Sequence, residues 1–162
     1  MVAAIALVPE SVKRDFEESV RKSAEEQKIK AEQQAAERRA AEEQQRQNMA
    51  ALNEAINTAL NKAQLISPEK IEIADSGKRL VVTFEIPESH DWALRVAGVH
   101  SLREYGTKAV ITVRNAELPF NLVNHFRVTL NGPSPGPSLI HRYGSARFSE
   151  GGAVEWEAGI TR

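Results

Sequence analysis

The apolar positions of this chain follow two different periods. Up to about Ile66 they recur every three or four residues, and beyond Pro68 they alternate every second residue. The first pattern predicts a long helix over residues 9–66. Pro9 and Glu10 suit its first turn, because proline there loses no needed donor and a carboxylate complements the helix dipole. From Ala24 to Gln47 every residue except Ile29 is Ala, Glu, Gln, Lys or Arg, the strongest helix formers. Acid-to-base pairs four residues apart recur, at Glu10 and Arg14, Glu17 and Arg21, Glu18 and Lys22, Glu26 and Lys30, and Glu42 and Arg46. No glycine or proline lies between Glu10 and Ser67. Pro68 disfavours helical backbone at Ser67 and so predicts the stop there.

Two short apolar stripes stand out on that charged helix. Val12, Phe16 and Val20 share one face near its start, and Met49, Leu52, Ile56 and Leu60, with Ala63, share one near its end. Carrying the second stripe back by heptads puts Gln45, Glu42, Arg38, Lys28 and Arg21 on the seam, which makes a poor coiled coil over the whole length. The two stripes are therefore the candidate partner-binding residues. Three readings compete for the helix. In one its last turns pack on the following domain or self-associate, and the middle is a solvated charged spacer. In the second the whole rod lies in a groove of a larger assembly. In the third the middle is a low-complexity segment of marginal order.

The alternating half predicts a β-rich domain over residues 67–162. Ile71 and Ile73 alternate up to the turn Asp75-Ser76-Gly77. Leu80, Val82, Phe84 and Ile86 then share one face, and Pro87 closes that strand. Ser89 is placed to cap a short helix with the stripe Trp92, Val96, Val99 and Leu102, ended by Gly106, although Gly98 inside it is unfavourable. Lys108 to Arg114 reads as a strand with Ala109, Ile111 and Val113 inward. Leu122, Phe126, Val128 and Leu130 line another. A proline-rich loop follows over residues 131–137, and the last strands fall at 139–148 and 153–157. About six strands and one short helix result, with connections too short for most parallel crossovers. The expected fold class is α+β, a long charged N-terminal helix followed by a small, mostly antiparallel β domain with one short helix.

Charge and composition narrow the function classes. The chain has 162 residues, a formal net charge of −1 and no cysteine. Disulfides, thiolate metal sites and thiol nucleophiles are thereby excluded, and a reducing compartment is suited. Basic and acidic residues balance in both halves, so no net positive field favours general nucleic-acid binding. Residues 1–8 form an apolar arm, without the basic flank of a signal peptide and far shorter than a membrane span. The expectation is a soluble, unprocessed protein of the cytoplasm or of a virion, with no membrane partner.

Chemistry-bearing constellations are sparse. His90, His100, His125 and His141 show no metal-ligand spacing, and Gly132 and Gly136 are interleaved with prolines that cannot donate to a phosphate. Glu155 and Glu157 share a strand face but alternate with Val154 and Trp156, as the solvent side of a half-buried strand does. His141, Arg142, Tyr143, Arg147 and Phe148 crowd basic and aromatic groups after the proline-rich loop, with Arg114 and Arg127 expected on neighbouring strands. That set suits either a base-stacking sheet or the shielding of a β edge. No cofactor or catalytic residue is indicated. The expected function is non-enzymatic: an assembly or interaction protein that docks or oligomerises through its helix. An inhibitor or adaptor of a macromolecular machine and a small nucleic-acid-binding domain are the alternatives.

Overall fold

Helix α1 spans Glu10–Lys62 in a computed structural model of the chain, which describes residues 9–118, 125–133, 141–148 and 152–159 (Ser76 by its backbone alone). The apolar arm of residues 1–8 lies outside the described residues, as do Leu122 and much of the proline-rich loop. The chain divides into two compact units, residues 1–47 and 48–162. In the first unit every helical residue is exposed. Glu18 and Lys22 close their ion pair at 2.8 Å, as the spacing predicts. Arg46 departs from its predicted partner Glu42 and reaches Glu43 at 2.7 Å. Arg46, and then Gln47, donate to the Glu43 carboxylate and hold its pKa below the usual range.

The predicted stop at Ser67 is corrected, because α1 ends at Lys62. Gln64 adopts φ 60°, its N–H bonds the Asn61 carbonyl, and the Leu65 N–H reaches back to the Leu60 carbonyl at 3.0 Å. This is a Schellman termination, in which a left-handed residue lets the chain satisfy the last carbonyls. Leu60 and Leu65 are both buried, which supplies the apolar contact that accompanies the motif. Pro68 comes four residues after Gln64, too late to be the cause.

The second unit continues with β1 (Lys70–Ala74), a single 3-10 turn at Asp75–Gly77, β2 (Arg79–Glu85), α2 (Asp91–Val96), α3 (Leu102–Arg114), β3 (His125–Asn131), β4 (Arg142–Phe148) and β5 (Val154–Ala158). The strands lie in sequence order in one sheet. β1 and β2 form the predicted hairpin, and β3, β4 and β5 are antiparallel neighbours. β2 and β3 are parallel, with Val82 opposite Val128, so the sheet is mostly rather than wholly antiparallel. A parallel pair needs a crossover, and α2 and α3 form it. Five strands are seen among the described residues where about six were expected.

The span between β2 and β3 holds the main correction. The predicted strand Lys108–Arg114 is the second half of α3, and the one short helix is two. Gly98 is the break: at φ +67° it ends α2, with Val99 N–H bonded to the Leu94 carbonyl in a second Schellman motif. The N-cap of α2 is His90, with no side-chain cap, rather than Ser89. Ser101 starts α3: its hydroxyl accepts from Glu104 N–H at 3.2 Å, and the Glu104 carboxylate accepts from His100 N–H at 2.7 Å. That reciprocal arrangement is close to a capping box. Tyr105, Ala109, Val110 and Val113 are buried at helical spacing, while Ile111 is left exposed.

Gly106 does not end a helix. It sits inside α3, where a Cβ would come within 2.6 Å of the Trp156 ring, and Gly144 on β4 meets the same ring. The two glycines open the slot that seats Trp156 between α3 and the sheet. Around that slot lies one core of Phe84, Phe126, Phe148, Tyr105 and the aliphatic residues of β2, β3 and α3. The last turns of α1 supply Leu52, Ile56 and Leu60, each with no exposed surface.

Candidate interaction surface

The two stripes of α1 have different fates. Leu52, Ile56 and Leu60 are sealed into the core of their own unit, and Met49 packs half-buried against it. These four side chains already have partners within the chain. Val12, Phe16 and Val20 are 53, 69 and 52 % exposed. At 3.6 residues per turn, Val12 and Val20 lie about 40° to either side of Phe16. Ile29 is exposed as well but falls about 140° away, so it does not extend the stripe.

The basic and aromatic set is brought together only in part. The rings of His141 and Tyr143 meet edge to face at 4.8 Å, and His90, from the α2 N-cap, lies 5.8 Å from Tyr143. Gly132 makes room for this cluster and bonds the His141 carbonyl through its N–H at 2.6 Å. Sequence reading missed His90, which is distant in the chain and arrives only through the crossover. Arg142 is exposed beside the cluster. Arg147 lies near the other end of β4 and pairs with Glu155 at 2.7 Å.

Register explains that pairing. Arg147 lies opposite Glu155, and Ser145 opposite Glu157. Arg127 on β3 reaches across to Glu157 at 2.8 Å and to the Ser145 hydroxyl at 3.0 Å. These groups share the sheet face opposite the one that buries Phe126, Val128 and Phe148. Glu155 and Glu157 are thus the exposed side of β5, as the alternation predicts, and both are engaged by arginines. Arg114 instead stacks its guanidinium 3.9 Å above the Phe148 ring.

Among the described residues no three His, Asp or Glu side chains converge as metal ligands would. No described helix is long and apolar enough to cross a membrane. Trp92 and Val96, which sequence reading put on the inner stripe of a helix, are 49 and 53 % exposed, and α2 buries Ala93 and Leu94 in their place. Comparison with protein-family models, with curated proteins and with solved structures finds no match to this chain.

Proposed function

We propose that this chain is a non-enzymatic interaction or assembly protein that engages a protein partner through Val12, Phe16 and Val20. The observation that carries the reading is Phe16, the most exposed large apolar side chain among the described residues, aligned with two exposed valines on one helix face. Three such side chains four residues apart make the anchor pattern by which an amphipathic helix enters a partner's groove. The β-rich unit has its own core and its own share of α1, and this stripe takes no part in that core. The lack of cysteine suits a partner met in a reducing compartment, the cytoplasm or a virion assembled there.

The nucleic-acid alternative is less well supported. A base-stacking sheet needs aromatic rings and free positive charge on its open face. Here Phe84, Phe126, Phe148 and Trp156 pack toward the core, and Arg127 and Arg147 are neutralised by Glu157 and Glu155. The test is capture of the natural partner by the full-length chain, compared with a Val12→Ser, Phe16→Ser variant. The variant is expected to melt like the parent and lose the partner. Retained capture would refute the assignment to this stripe.

A further inference from the structure

Asn131 and Gly132, where β3 ends, form the one Asn-Gly pair in the sequence. In an open chain such a pair rearranges slowly in water alone, because glycine leaves the backbone free to fold its nitrogen back onto the preceding side chain. The Gly132 nitrogen loses its proton and bonds Asn131 Cγ. The Cγ–Nδ2 bond breaks, ammonia departs with that proton, and a cyclic imide remains. Water then opens the imide at Cγ to give Asp, or at the backbone carbonyl to give isoaspartate. In isoaspartate the main chain runs through the former side chain and is one methylene longer.

The fold opposes each part of that closure. Closure needs the Asn131 ψ to leave the extended region of a strand, yet the Asn131 carbonyl accepts from the Ile86 N–H at 2.7 Å and is tied to the end of β2. The Gly132 N–H, whose proton must be lost, donates to the His141 carbonyl at 2.6 Å, a bond that favours the protonated form. Asn131 Oδ1, where negative charge develops during the attack, is buried without a hydrogen-bond partner among the described residues, so no donor stabilises that charge. Gly132 is itself buried, and a Cβ there would meet the Tyr143 ring at 2.9 Å.

We propose that Asn131-Gly132 is a self-modification site sealed by the native sheet, and that opening of the β3 end converts it to an isoaspartate form that no longer closes there. Asn131 lies opposite both Glu85 on β2 and Arg142 on β4. The Asp product keeps the strand spacing, and its added charge meets one like and one opposite neighbour, so it re-forms the pairing. The isoaspartate product does not. Its extra methylene displaces the Gly132 N–H from the His141 carbonyl, and the carbonyl that held Ile86 has become a free carboxylate. The step is therefore one-way for that product. It does not depend on the Val12–Val20 stripe.

The full-length chain, incubated at mildly alkaline pH both folded and in urea, tests this by peptide mass mapping with enzymatic detection of isoaspartate. Conversion at Asn131 should be at least about tenfold slower in the folded chain than in urea. In urea it should outpace Asn53 and Asn57, which precede Glu54 and Thr58. The purified isoaspartate form should unfold at lower urea than an Asn131→Asp variant, which has the same composition and charge. Equal rates folded and in urea overturn the sealing, and equal midpoints overturn the one-way step. Should Asn131→Asp fail to fold, amide hydrogen exchange at Ile86 and Gly132 compares the isoaspartate form with the parent. Lost protection there supports the one-way step, and parent-like protection overturns it.

Discussion

Tyr105→Phe isolates one hydrogen bond on which the second unit depends. Tyr105 has no exposed surface, and its ring meets Phe84 edge to face at 6.1 Å. Its hydroxyl accepts from the Ile66 N–H at 2.9 Å, tying the chain just after α1 to α3. Phenylalanine keeps the ring and its packing but leaves that N–H without a partner. A fully buried orphan donor costs about 1–3 kcal/mol. Ile66 is only half-buried, so water reaches part of the gap and the lower end, about 1–1.5 kcal/mol, is expected. For a unit of this size that is a drop in Tm of about 4–8 °C. Urea unfolding followed by tryptophan fluorescence should show a lower midpoint with an unchanged slope. The loss should also depend on pH. Burial raises the Tyr105 pKa above its ordinary value of 10.0, against a smaller lowering by the Ile66 N–H. The unfolded chain therefore deprotonates first as pH rises. The advantage of the parent over the variant should be complete below about pH 10 and shrink above it as pH approaches the folded pKa. A variant within about 0.3 kcal/mol of the parent at neutral pH, smaller than any credible orphan-donor cost, would show that the hydroxyl contributes nothing.

Three further substitutions separate packing from propensity. Gly106→Ala, which in an open helix gains about 1 kcal/mol, should instead cost about 1–3 kcal/mol in urea unfolding, because its methyl meets the Trp156 ring. Combined with Trp156→Ala the cost should fall well short of additive. Gln64→Gly should raise stability by about 0.5–1 kcal/mol, since relief of left-handed strain exceeds the added freedom of the unfolded glycine. A lowered melting temperature would count against the Schellman assignment. Ile56→Ala should cost about 2–5 kcal/mol by thermal melting, whereas Phe16→Ser should move stability by no more than about 0.5 kcal/mol. Equal effects would mean that the two stripes are not used differently.

The long helix and the β1–β2 hairpin were legible because one period dominated each. From Ala24 to Gln47 propensity and charge spacing agree, and from Leu80 to Ile86 nothing competes with the alternation. The crossover was misread because its residues favour the wrong element. Val110, Ile111, Thr112 and Val113 are β-branched, yet they are held helical by burial of Val110 and Val113 against the sheet. The correcting signal was present: Ser101 and Glu104 have capping-box spacing. Gly106 misled for a different reason, since its partner, Trp156, lies fifty residues downstream. The cluster of His90, His141 and Tyr143 was hidden in the same way, because only the parallel pairing of β2 and β3 brings its parts together.

A helix built almost entirely from Ala, Glu, Gln, Lys and Arg has little to bury, so its few large apolar side chains must be explained one by one. Leu52, Ile56 and Leu60 are explained by the sheet they help to cover. Val12, Phe16 and Val20 fold nothing in the described chain, and an exposed phenylalanine contributes nothing to the stability of a solvated helix. Single exposed apolar residues need no account, but three on one face form a patch of the kind that marks a binding site.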